Sequence, residues 1–82
     1  MNRIKYPKVQ ERKLMRENAR GLYCDGVIEI DPRLGSREYL IVLVHEYLHH
    51  IYPWMTEDQV DESGELIGGF LWKNNYRKVQ LK

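Results

Sequence analysis

Cysteine is almost missing from this chain: Cys24 stands alone among 82 residues. A single thiol excludes an intramolecular disulfide and any cysteine-based zinc site, and it suits a reducing, cytoplasmic setting. Long apolar runs are missing too. The longest runs from Leu40 to Val44, far short of the ~20 residues a membrane-spanning helix needs. The first residues, Met-Asn-Arg-Ile-Lys-Tyr-Pro, carry charge with no apolar stretch behind it and do not read as a signal peptide. Low-complexity segments and internal repeats are absent. What remains is a soluble chain of ordinary globular composition, 43% hydrophobic and 30% charged. Its length makes one domain spanning 1–82, near the lower limit for a self-sufficient apolar core, where a bound metal is a useful staple.

Charge is balanced overall but unevenly spread. Residues 1–20 carry seven basic and two acidic side chains, and residues 56–66 carry five acidic and no basic ones. Without interleaved aromatics, the basic segment reads as a solvated face rather than a nucleic-acid surface.

Arg3 to Tyr6 alternates as a short strand that Pro7 ends, and Lys8 to Ala19 has helical composition. Leu22-Tyr23-Cys24, Asp25-Gly26 and Val27-Ile28-Glu29-Ile30 read as two strands joined by a type I′ turn, with Ile28 and Ile30 on one face. Asp31-Pro32 stops the second strand, and Gly35-Ser36 offers a helix start. The spacing predicts a helix over Arg37 to Tyr52, halted by Pro53. Its apolar residues surround the axis, so it should be covered by a sheet on one side and a helix on the other. A second helix runs from Thr56 to Asn74, opened by a Thr56/Gln59 capping box and a Met55/Val60 hydrophobic staple. The short link at Tyr52 to Met55 requires the helices to pack antiparallel. The expected class is α+β: a small antiparallel sheet on a buried helix, backed by a second helix.

The buried helix contains His45-Glu46-Tyr47-Leu48-His49. Four-residue spacing puts both imidazoles on one face, where two ring nitrogens can reach one zinc ion. Glu46 falls about 100° around the axis, beside the metal, where it can act as general base on an activated water. The bare pattern arises by chance in about a few sequences per thousand of this length. Its setting on a buried helix is what gives it weight, because a carboxylate and two imidazoles are costly there without a partner. The alternative is two core histidines and a salt-bridged glutamate. His50 points away from the pair and reads as a surface histidine.

A catalytic zinc needs a third protein ligand and an open position. Candidates are Glu57, Asp58, Asp61, Glu62 and Glu65. Taking Gly64 as the centre of the inward face, Glu57 falls at about +20° and Asp61 at about +60°, the others at about 100° or beyond. Glu57, in the first turn after the link and opposite the last turn of the preceding helix, where His49 lies, is the expected third ligand. Asp61, one turn on, is the expected partner for the free ring nitrogen of His45. Acids near a helix N-terminus also complement the dipole, which suffices for Asp58 and Glu62. Gly64 and Gly68 on the inward face imply close helix–helix approach. Tyr52 shares the azimuth of His45 and is a candidate donor to a developing oxyanion, with packing as the alternative. Trp54, Phe70 and Trp72 read as packing residues.

These residues resemble the zincin metallopeptidases, in the branch whose third ligand is a glutamate. Asp31-Pro32-Arg33-Leu34, Pro53, Thr56-Glu57, Val60 and Leu71-Trp72 further resemble small phage and bacterial zincin-like proteins, over residues 21–78. In the glutamate branch an aspartate that holds a histidine often follows the ligand by four residues, as Asp61 follows Glu57. Larger members carry a second lobe that builds the substrate cleft, for which this chain has no room. The resemblance implies a minimal zincin-like fold and a zinc-dependent hydrolase, a metallopeptidase acting on a peptide or protein substrate. The alternative is a non-catalytic, zinc-stabilised structural module that binds a protein partner.

Overall fold

The computed structural model describes residues 4–14 and 19–78. Its organising element is a hairpin. Strands β2 (Gly21–Cys24) and β3 (Val27–Ile30) pair antiparallel, with Cys24 opposite Val27 and Gly21 opposite Ile30. Asp25 and Gly26 both take positive φ, 48° and 78°, as a two-residue I′ turn demands. Ile28 and Ile30 point to the same face and are 1% and 0% exposed.

The rest of the sheet departs from expectation. Strand β1 occupies Lys8–Glu11 and pairs parallel with β3, giving a mixed sheet of order β1-β3-β2. The sheet is thus not wholly antiparallel, and β3 is its central strand. The helix expected over Lys8 to Ala19 is not formed at 8–14, and residues 15–18 lie outside the described chain. Ile4 to Tyr6 are not in a strand, and Arg3 is likewise outside the described residues. Pro7 therefore precedes a strand instead of ending one. The physical reason is pairing. β3 offers main-chain acceptors on its second edge, and Lys8 N–H takes the first at Gly26 O, 2.9 Å away. Local helical composition is a weak preference that such a ladder overrides.

Past β3 the chain is pinned by Asp31, a buried carboxylate that accepts from Leu14 N at 3.1 Å, Arg33 N at 3.0 Å and Arg33 Nε at 2.8 Å. This fastens the fully buried Leu14 to the end of the sheet. The Arg33 side chain first, and then the two backbone N–H groups, hold the Asp31 carboxyl well below the usual carboxylate range. A depressed folded-state pKa contributes stability that is present above the unfolded value and lost as pH falls through the folded one. Asp31→Asn should therefore lower the thermal midpoint by several degrees near neutrality. The gap to the parent should narrow steadily in acid, which melting curves across the acidic range will check.

Helix α1 (Ser36–Ile51) and helix α2 (Glu57–Lys73) come next, close to their expected bounds. Thr56 caps α2 with the full reciprocal box: Gln59 N–H to the Thr56 hydroxyl at 3.1 Å and Thr56 N–H to Gln59 Oε1 at 2.9 Å. α1 lies between the sheet and α2, while α2 packs on α1 alone among the described elements. The helices run antiparallel. Gly64 faces His45 and Gly68 faces Ile41, so α2 residues climb as α1 residues descend. Trp54 and Phe70, expected as packing residues, are 74% and 67% exposed: Trp54 lies in the link between the helices, and Phe70 is on the outer side of α2, which has no neighbour among the described elements. No described helix is long and apolar enough to cross a membrane.

Candidate metal centre

The antiparallel contact of α1 and α2 sets two histidines against two acids. Glycines make it close. A Cβ at Gly64 would sit 3.4 Å from His45 Cβ, and one at Gly68 only 2.9 Å from Ile41 Cα. With the axes this near, the first turn of α2 reaches the imidazoles. Glu57 Oε1 lies 3.4 Å from His45 Nε2, and its other oxygen lies 3.1 Å from His49 Nε2. One donor atom from each of the three residues falls within 4.8 Å of the others, close enough to hold a metal ion. The imidazoles are largely covered, 21% and 24% exposed, while Glu57 is 69% exposed on the outer side. Asp61 Oδ1 lies 3.2 Å from His45 Nδ1, so one carboxylate meets each nitrogen of that ring and the outer one orients it.

Glu46 lies beside this cluster, its Oε2 4.0 Å from His45 Nε2, and is buried. Burial pushes its carboxyl above the ordinary range, opposed by the two imidazoles and reinforced by the Glu57 charge. A carboxyl moved towards neutrality and open to a cleft is suited to taking a proton from water.

The cleft, about 580 Å³, is lined by His45, Glu46, His49, Glu57, Pro53 and the backbone-bearing residues Gly21, Leu22 and Tyr23 of β2. Sequence reasoning missed the strand side of this wall. Gly21 carries the approach: a Cβ there would meet Val42 Cγ1 at 2.6 Å and Glu46 Cγ at 3.2 Å, so only glycine lets β2 lie on Glu46. A glycine opening a strand was the available signal, since it marks a close backbone approach. The Asp31 N–H bond to Arg20 O and the pairing register turn the main-chain groups of Leu22 and Cys24 towards β3. Those of Gly21 and Tyr23 then face the outer edge of the sheet, which pairs with no strand among the described residues.

Two expectations change. His50 is not a free surface histidine: its Nδ1 lies 2.7 Å from the Tyr23 hydroxyl, and its ring stacks on Tyr47 at 6.0 Å. It braces β2 on α1 and stands outside the metal cluster. Tyr52 is the C-cap of α1, 42% exposed, with its ring 5.4 Å from that of Trp54. It is not among the residues lining the cleft. No known family, no curated protein and no solved structure matches the chain.

Proposed function

We propose that His45, His49 and Glu57 bind one zinc ion and that the chain is a zinc-dependent hydrolase, a metallopeptidase of minimal zincin-like build acting in the cytoplasm. The supporting observation is convergence: one donor atom from each of two imidazoles and one from a carboxylate on a second helix meet within 4.8 Å, beside a buried glutamate. Two nitrogens and one oxygen form a donor set that suits zinc and leaves a position open. Bound there, zinc supplies Lewis acidity, lowering the pKa of a water and polarising a carbonyl. The protein does the remainder. The outward N–H and C=O groups of Gly21 and Tyr23 hold an extended peptide by strand addition. The edge that can do this is β2, because β3, which ends at Ile30, is the central strand. Glu46 accepts the proton of the attacking water and returns it to the leaving amine. Asp61 keeps the His45 ring in one orientation and tautomer.

A second reading keeps the same ligands without turnover. It is favoured by the position of α2, which has α1 as its one neighbour among the described elements and leaves Leu66 and Phe70 exposed on its outer side, so that a metal joining the two helices acts as a staple.

Elemental analysis of the purified protein tests the site itself. The parent is expected to carry a single zinc. Asp61→Ala should weaken zinc binding about 10–100-fold, and His49→Ala and Glu57→Ala should weaken it more. A parent that stays zinc-free after reconstitution removes both readings.

A further inference from the structure

Helix α2 has a second apolar face that nothing in the described chain covers. Its inner face, Val60, Gly64 and Gly68, is buried on α1. On the outer side, Leu66 is 66% exposed, Phe70 67% and Ile67 43%. Helical periodicity aligns Gln59, Ser63, Leu66 and Phe70 in one stripe at alternating four- and three-residue steps, the seam spacing of paired helices. Ile67 flanks this stripe on one side, and Glu62 and Lys73 flank it on the other. Gln59 and Ser63 make the start of the stripe polar, while Leu66, Ile67 and Phe70 form one contiguous exposed apolar patch with charge at its edge, which marks an interaction surface rather than scattered exposure.

The charge on the helix identifies the occupant. The first half of α2 bears Glu57, Asp58, Asp61, Glu62 and Glu65, and its end bears Lys73. A parallel copy would set unlike flanks together, placing Glu62 beside the partner's Ile67 and forming no ion pair with Lys73. An antiparallel copy instead sets Leu66 on the partner's Phe70, Phe70 on the partner's Leu66, and Glu62 beside the partner's Lys73. Glu62 and Lys73 share a flank, and like flanks face each other in antiparallel pairs, so both ion pairs form at once. The surface is complementary to itself about a twofold axis, the requirement for a closed dimer.

We propose that the chain forms a homodimer through the outer face of α2, with the two helices antiparallel and centred on Leu66 and Phe70. The contact buries α2 between α1 and the partner's α2. It leaves the metal cleft open, since the cleft is lined by α1, β2, Pro53 and Glu57.

Sedimentation equilibrium of the full chain over a range of concentrations tests this. The parent should sediment at twice the mass of one chain. Combined Leu66→Glu and Phe70→Glu should return it to the mass of one chain with an unchanged far-ultraviolet circular dichroism spectrum. Both side chains are exposed, so folding should not depend on them. Lys73→Glu should weaken association several-fold, and adding Glu62→Lys to it should restore association. A parent that remains a single chain at every concentration overturns the proposal, as does a dimer untouched by the double glutamate variant. A dimer indifferent to Lys73→Glu, with no rescue by the reversed pair, overturns the antiparallel arrangement.

Discussion

Glu46→Gln is expected to keep its zinc and lose peptide hydrolysis, by about 10²–10⁴-fold for removal of a general base. Glutamine preserves the shape of the side chain and its place against Gly21, so β2 and the ligands should stay put. What disappears is the ability to take a proton from water. The same substitution should raise the stability of the metal-free protein. Burial lifts the Glu46 carboxyl above its ordinary value, so the folded state favours the protonated form. Above the unfolded pKa the buried carboxylate therefore opposes folding, and this penalty grows as pH rises towards the folded value. A neutral amide escapes it, and the stability gap between variant and parent should widen over that interval. Lost activity together with gained stability would mark Glu46 as a functional rather than a structural residue. Cleavage of unfolded protein or peptide that continues unchanged in Glu46→Gln would sink the hydrolytic mechanism. A zinc-loaded parent that cleaves nothing would leave the staple as the surviving role.

Gly68→Ala and Gly69→Ala, one residue apart and identical in chemistry, should shift stability in opposite directions. At Gly69 a Cβ would meet only Arg37 Nη2 at 3.7 Å, so alanine should stabilise by about 1 kcal/mol through helix propensity. At Gly68 the added methyl would press on Ile41 Cα and Cγ1, both at 2.9 Å. The obstacle is backbone, which cannot swing aside, and overpacking of this kind costs about 1–3 kcal/mol. That outweighs the propensity gain, so Gly68→Ala should destabilise. It also tilts α2 off α1, drawing Glu57 and Asp61 away from the imidazoles, so zinc affinity should fall although no ligand is touched. Thermal melts and zinc titration of the two variants are the measurement. Equal stabilisation in both would show that the helices are not in contact at Gly68.

Much of this arrangement is legible in the residues alone. The hairpin announces itself through Asp25-Gly26 between alternating strands. Both helices are marked by Pro53, the Thr56/Gln59 box and apolar periodicity, all of them local signals. The proximity of His45, His49, Glu57 and Asp61 is readable for a related reason. A helix has a rigid period, and two helices joined by a short link have little choice but to lie antiparallel. Azimuth and axial level then say which side chains can meet.

Tertiary structure alone decided the rest. β1 carries no strand pattern strong enough to oppose its helical composition, and it exists because the central strand β3 has a second edge to satisfy. Whether it ran parallel or antiparallel could not be read from periodicity, which carries no direction. Asp31 looked like a strand stop, whereas its depth comes from donors on Leu14 and Arg33 that converge only in the folded chain. Gly21 is a wall of the cleft through contact with Val42 and Glu46, more than twenty positions away. Phe70 has the composition of a core residue, and it is exposed because no described element lies on the far side of α2. Sequence by itself determined the hairpin, the two helices and the side chains that meet between them, through the chain's own periodicity and short connections. Contacts between distant segments required the structure, because their energy depends on neighbours that no local pattern records.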